Sequence, residues 1–301
     1  MQNRRTDLAV EARDLWRETA RGEPRGVRSR ERTVEGCPVT EVEVVTEEGA
    51  AALGKPVGRY VTLTLAGLAE REEDAFPRLC RALAVELRRL LPGRSDAPVL
   101  LAGLGNRAVT PDAVGPEAMR HVVVTRHLLR QLPEQFRGWR PVAAVTPGVS
   151  GVTGMEAQEL LRGAVAQIRP ACVVAVDALA SRSVERVCRT VQAADSGIVP
   201  GSGVANSRAA LNRETLGIPV VALGVPTVID AGTLAADVIA QAGGPAPDEA
   251  ALRRFGGSLM VTPRDIDARV RDAAKVIGYG LSLALHPSLR LEDVTAFLGL
   301  A

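Results

Sequence analysis

Val99-Leu100-Leu101-Ala102-Gly103-Leu104-Gly105 and Cys172-Val173-Val174-Ala175-Val176-Asp177 decide the fold class. Each is a short, unbroken apolar run closed by a glycine or a carboxylate. A strand apolar on both faces belongs in a sheet covered on both sides, the situation of parallel sheets. Pro219–Leu223, closed by Gly224, and Val142–Val145, closed by Thr146-Pro147-Gly148, repeat the pattern. Helical periodicity fills the intervals: 70–91 with Pro77 as an interruption, then 113–132, 154–168, 231–242 and 265–285. Strands alternating with helices imply an α/β fold, a mainly parallel twisted sheet with helices on both faces. Upstream, Val42 and Val44 alternate with Glu41 and Glu43, and Tyr60–Leu65 repeats the strand signal. These give a small N-terminal β-rich extension. Residues 1–36 read as a polar, Arg-rich arm with one helix near Ala9–Ala20, and no linker divides the chain.

Composition narrows the function. The chain has 301 residues, 46% apolar, 24% charged and only 3% aromatic, with a formal net charge of +2. Few aromatics argue against a stacking platform for single strands, and near-neutral charge argues against direct nucleic-acid binding. No apolar run reaches the length of a membrane span, and no apolar stretch follows the N-terminus as a secretory signal requires. The four cysteines, at 37, 80, 172 and 188, are scattered and read as reduced, buried thiols.

In such sheets ligands sit at the carboxyl ends of the strands. That rule selects the loops 105–116, 146–154, 177–182 and 224–230. Gly103-Leu104-Gly105-Asn106 lacks the third glycine of a dinucleotide fingerprint, having Ala108 there, and is no P-loop. It reads as a tight turn. Asp112 follows in Thr110-Pro111-Asp112, where it serves either chemistry or a helix start. Asp177 closes an apolar run, and a carboxylate there needs a partner or a shifted pKa. The two aspartates are 65 positions apart, about two βα units. Two close carboxyls share a proton, so one can activate water while the other protonates a leaving group. His121 and His127 are not spaced for one helix face, His286 reads as a helix-end group, and neither GxSxG nor HExxH occurs. Asp195-Ser196-Gly197 and Pro200-Gly201-Ser202-Gly203 are surface loop or groove lining, and Thr227 or Asp230 can serve simply as a cap.

Several motifs together point to a family. Thr6-Asp7-Leu8-Ala9-Val10-Glu11-Ala12, Gly58–Leu63, Gly103-Leu104-Gly105-Asn106 with Thr110-Pro111-Asp112-Ala113, Thr125-Arg126-His127-Leu128 and Pro147-Gly148-Val149 occur in that order. Val176-Asp177-Ala178-Leu179-Ala180, Asp195–Ile198, Pro200–Gly203, Gly224–Val228 and Leu259–Pro263 follow. Over about residues 4–286 the chain resembles the germination proteases of spore-forming bacteria. The resemblance implies an atypical aspartic endopeptidase that degrades small acid-soluble spore proteins, related in fold to hydrogenase maturation endopeptidases. It places the essential aspartates on Asp112 and Asp177. It also implies a zymogen cleaving its own Asp7–Leu8 bond, so that 1–7 is a propeptide and 8–301 a single peptidase domain. Gly105, Asn106, Pro147, Gly148, Ser181, Arg182, Asp195 and Ser196 are groove candidates. A homotetramer, no cofactor, no resident metal and a location in the cytoplasm of forespore and spore core are expected. A metal-assisted peptidase using the same carboxylates is the alternative. Two departures stand out: the prosegment is only seven residues, and the stretch 230–259 is short for the family.

Overall fold

The computed structural model describes residues 6–299 apart from 21, 94–95, 205–207, 246, 249, 251 and 253–258. Among the described residues one mixed sheet organises the chain. Its strands are β1 (Val27–Val34), β2 (Cys37–Val44), β3 (Gly58–Thr64), β4 (Val99–Gly103), β5 (Val142–Val145), β6 (Cys172–Ser181), β7 (Thr190–Ala194), β8 (Val220–Asp230) and β9 (Met260–Val261). They lie in the order β1-β2-β3-β7-β8-β6-β4-β5, with β9 on the end of β8. The half formed by β5, β4, β6 and β8 is parallel, as the apolar runs require. The β-rich extension continues the same sheet edge to edge through β7, and there every pairing is antiparallel. The α/β class therefore holds, with the parallel character confined to one half.

Side-chain alternation divides the parallel strands between two cores. Val99, Leu101, Cys172, Val174, Val176, Val221 and Leu223 face one side, under the helices Ala75–Leu90, Val114–Met119 and Ile266–Leu285. Leu100, Ala102, Val173, Ala175 and Val220 face the other, under the helix Ala157–Ile168. Each fully buried leucine contributes about 1.5–3 kcal/mol, so these strands carry much of the stability. A third cluster joins Leu8, Ala9 and Val10, at the start of the helix Ala9–Ala20, to Val42, Val44 and Tyr60 of the antiparallel half. All four cysteines are free and buried.

Four local expectations change. The arm before residue 36 contains β1, an edge strand whose Val-Arg-Ser-Arg-Glu-Arg-Thr-Val sequence is charged because one side has no sheet neighbour. The helix expected over 70–91 begins at Ala75, with Pro77 in its first turn, where a missing N–H costs nothing. The helix expected over 113–132 is two short ones, Val114–Met119 and Arg126–Gln131. Between them Thr125 exchanges N–H and hydroxyl bonds with Val142 and Arg140, pulling the β-branched run Val122-Val123-Val124 out of helix. Finally, β6 and β8 run past the residues expected to end them, to Ser181 and Asp230.

Candidate active site

The overrun of β6 sets the site. The last parallel rung between β4 and β6 pairs Gly103 with Val176, so Asp177 is the first β6 residue without a β4 neighbour. On the other side it still pairs with Gly224 of β8. Asp177 thus sits in the notch left where β4 stops, 4% exposed. Its Oδ1 accepts the Ala178 N–H at 2.9 Å.

After β4 the chain turns through Leu104-Gly105-Asn106 and returns in a 3-10 turn, Thr110–Asp112. The Asp112 carboxylate does not cap the following helix. Its Oδ2 accepts the Asn106 N–H at 2.7 Å. Gly105, at φ 106°, presses against the Asp112 backbone carbonyl. Across the notch, β6 and β8 slip register between Leu179 and Ala180, leaving Thr227 as the extra residue of a bulge. The Thr227 hydroxyl donates to the Pro111 carbonyl at 2.7 Å, and Thr262 donates to the Thr227 carbonyl at 2.9 Å. The turn bearing Asp112 is therefore tied to β8, the strand paired with Asp177.

Asp112 and Asp177 line one cavity of about 390 Å³, together with Gly105, Gly148, Ala180, Gly203 and Thr227. Burial pushes both carboxyls above the ordinary carboxylate range. Asp177 is pushed well above it, first by burial and then by the charge of Asp112, against its one backbone hydrogen bond. The Asn106 N–H offsets burial at Asp112. Of the two, Asp177 is the more strongly raised.

The N-terminal segment enters the same cavity. Asp7 lines it and pairs with β6: Asp7 N–H donates to the Ala180 carbonyl at 3.0 Å, and Asp7 Oδ2 accepts the Ala180 N–H at 2.8 Å. Asp7 Oδ1 accepts the Ser202 hydroxyl at 2.7 Å. Leu8 is fully buried, and Gln192 bonds both the Asp7 carbonyl and the Ala9 N–H. Glu11, 3% exposed, fastens the helix that follows. It accepts the Ser181 hydroxyl at 2.7 Å, the Arg182 N–H at 2.7 Å and the Ser183 N–H at 3.0 Å, with Thr6 also donating to it. Glu11→Ala would strand those donors in a closed site. The expected loss is about 2–5 kcal/mol of stability, read as a lower midpoint in urea; a change below about 0.5 kcal/mol, the ordinary surface range, would contradict the clamp.

The remaining candidates divide. Gly105 and Gly148 line the cavity. Asn106 serves it through its backbone N–H, and its side chain closes its own turn on Ala108. Ser196 lines a neighbouring cavity of about 340 Å³ and donates to the Tyr60 hydroxyl. Pro147 is buried behind Gly148 in sequence and lines none of these cavities. Ser181 and Arg182 are occupied by the Glu11 clamp, with the Arg182 guanidinium on Glu18. Asp195 holds Arg59 through its backbone N–H and its guanidinium, at 2.7 and 2.9 Å. These last three are structural side chains. Asp230 does cap a helix, accepting the Thr233 N–H. Thr227 is more than a cap, Ser202 joins the site from the stretch 200–203 read as surface loop or groove lining, and Glu11 and Gln192 enter it with no spacing signal to announce them. No histidine lines the cavity. Burial lowers His286 to about 4, and its ring rests on Trp139. Among the described residues no three His, Cys, Asp or Glu side chains converge as metal ligands, so the donor set does not fit a transition metal. No helix among them is long and apolar enough to cross a membrane.

The sequence model of a family described as Germination protease matches residues 5–242. The germination protease of Clostridium perfringens (strain ATCC 13124) is 41% identical over 324 aligned positions, covering 99% of this chain and 100% of that one. Those of Caldanaerobacter subterraneus subsp. tengcongensis and Priestia megaterium are 41% and 38% identical; they align with 98% and 97% of this chain, and 98% and 96% of their own. Among solved structures, a [NiFe] hydrogenase maturation protease from Thermococcus kodakarensis aligns at 18% identity and a TM-score of 0.36, covering 65% of this chain and 98% of that one.

Proposed function

The chain belongs to the germination protease family, a family of peptidases, and we propose that it is an endopeptidase of spore germination working through Asp112 and Asp177. The observation that carries this reading is the unlike state of two carboxyls lining one cavity. Asp177 is 4% exposed and raised well above the ordinary carboxylate range; Asp112 accepts the Asn106 N–H and is raised by burial, so in this reading Asp177 carries the proton and Asp112 ionises first. Carboxyls driven apart in this way supply an acid and a base in one site. Asp112 takes a proton from water as its oxygen adds to the peptide carbonyl carbon. Asp177 gives its proton to the leaving nitrogen as the carbon–nitrogen bond breaks. The proton gained by Asp112 then returns the pair to its starting state. The chemistry runs on the chain's own groups, with no cofactor and no metal.

The substrates in this reading are small acid-soluble spore proteins, met in the cytoplasm of the forespore and spore core. The chain is a zymogen in which 8–301 is the peptidase domain and 1–7 the propeptide, cut at Asp7–Leu8. Met1–Arg5 lie outside the described residues; support for self-cleavage comes from Asp7, which lines the cavity of the carboxyl pair. Homotetramer assembly rests on the family resemblance. Direct nucleic-acid binding is not expected at a net charge of +2.

Incubating the full chain with a purified small acid-soluble spore protein tests the reading. Mass spectrometry should show a few fragments cut after acidic residues, and loss of residues 1–7 from the enzyme. An intact substrate beside an enzyme already beginning at Leu8 would overturn it. The rate should be bell-shaped in pH. It falls on the acid side as Asp112 is protonated and on the alkaline side as Asp177 ionises. Both carboxyls are raised, so both limbs should lie above the ordinary carboxylate value near ~4. A rate still rising below pH ~4 would contradict the assignment.

A further inference from the structure

Asp7 is held on both of its carboxylate oxygens. Its carboxylate takes the Ala180 N–H on one oxygen and the Ser202 hydroxyl on the other. Its own N–H pairs with the Ala180 carbonyl, one rung of strand pairing on β6. Gly203 closes the nest: a Cβ there would lie 2.1 Å from Asp7 Oδ2 and 2.5 Å from the Ala180 Cβ. Ala180 is three residues beyond Asp177 on the same strand, and the cavity of the carboxyl pair is shared. We infer that Ala180, Ser202 and Gly203 form a specificity subsite that selects an acidic side chain before the cleaved bond, with Asp7 occupying it in the precursor. The inference rests on the peptidase reading above and assigns residues to its selectivity.

The subsite does more than hold. Asp7 is one of two carboxylates, with Asp112, whose charge favours the protonated form of Asp177. The other charged groups lining the cavity, Glu156 and Arg208, pair with each other at 3.4 Å. A substrate carboxylate seated where Asp7 lies would therefore help keep the acid loaded. Selectivity for an acidic residue then shows in turnover as well as in binding.

The test uses the full chain after it has released residues 1–7, its Ser202→Ala and Gly203→Ala variants treated alike, and peptides patterned on 6–12 with Asp, Glu or Asn before the bond. Wild type should prefer Asp or Glu to Asn by about 100-fold in kcat/KM, as two hydrogen bonds to a carboxylate imply. Ser202→Ala should lower kcat/KM for the Asp peptide about 10-fold and narrow the Asp/Asn ratio. Gly203→Ala should remove the preference altogether. With the Asn peptide the alkaline limb of kcat should move to lower pH, because Asp177 loses a negative neighbour. An unchanged Asp/Asn ratio in Ser202→Ala, with wild type active, would overturn the subsite. Failure of wild type to cut any peptide or spore protein would overturn the peptidase reading and the subsite with it.

Discussion

Asp177→Asn should lower peptide hydrolysis by about a thousandfold, within the ~10²–10⁴ range supplied by a positioned acid or base, and should raise thermal stability at neutral pH. The two effects have one cause. Asp177 lies in the notch beyond β4 with the Ala178 N–H as its one hydrogen bond among the described residues, and burial and Asp112 hold its pKa well above the ordinary value. A carboxyl raised on folding binds more protons in the folded than in the unfolded chain, so stability falls as pH rises from its unfolded pKa toward its folded pKa. Asparagine removes that penalty. The stability gain should therefore be absent near pH ~3, below the unfolded value of about 3.9, and appear as pH rises. Asp112→Asn should lose comparable activity, and by removing a negative neighbour should bring the Asp177 pKa down. Initial rates on a spore-protein peptide, with melting curves across pH, check both. Near-normal turnover in either variant, or an Asp177→Asn protein no more stable than wild type at pH 7, would contradict the assignment.

Gly115→Ala should cost about 3 kcal/mol and roughly 5–10 °C in melting temperature, and at least tenfold in activity. Gly115 lies in the helix Val114–Met119, three residues after Asp112. A Cβ at this position would stand 2.3 Å from the carbonyl oxygens of both Leu104 and Val176, and 2.5 Å from the Leu104 nitrogen. All three are backbone atoms, so no side chain can turn aside. Relief requires the helix to back away from β4 and β6, carrying Asp112 from Asp177. Displacements of about 1 Å can cost a hundredfold in rate. Gly163→Ala is the control: it lies in the helix Ala157–Ile168 with nothing within 4 Å of its added methyl. It should be neutral or stabilising by up to ~1 kcal/mol. Equal melting temperatures for the two variants would show that the close approach does not position the site.

The residues that were legible in the sequence are those whose pattern follows from burial. Val99–Gly103, Cys172–Val176 and Val220–Leu223 alternate between two cores, so their apolar runs could be read directly, and with them the strand-end loops. Asp177 stands out because a carboxylate closing that run needs a partner, a strand-end cap being its plain alternative, whereas Asp112 reads as easily as a helix-start residue. What separates the two roles of Asp112 is a contact, the Asn106 N–H, that spacing does not encode. β1 was hidden because an edge strand can be charged throughout, and the overrun of β6 because it depends on the bulge at Thr227 in another strand. Glu11 carries no periodic signal; its importance comes from donors about 170 residues away.

The most direct test of the central claim is the protonation state of the pair at neutral pH. Infrared difference spectra of the full chain against its Asp177→Asn and Asp112→Asn variants read it without turnover. The account predicts that Asp177→Asn removes a protonated-carboxyl band and that Asp112→Asn removes an ionised-carboxylate band. Loss of an ionised band in Asp177→Asn would mean that Asp177 holds no proton to give, and would contradict the mechanism.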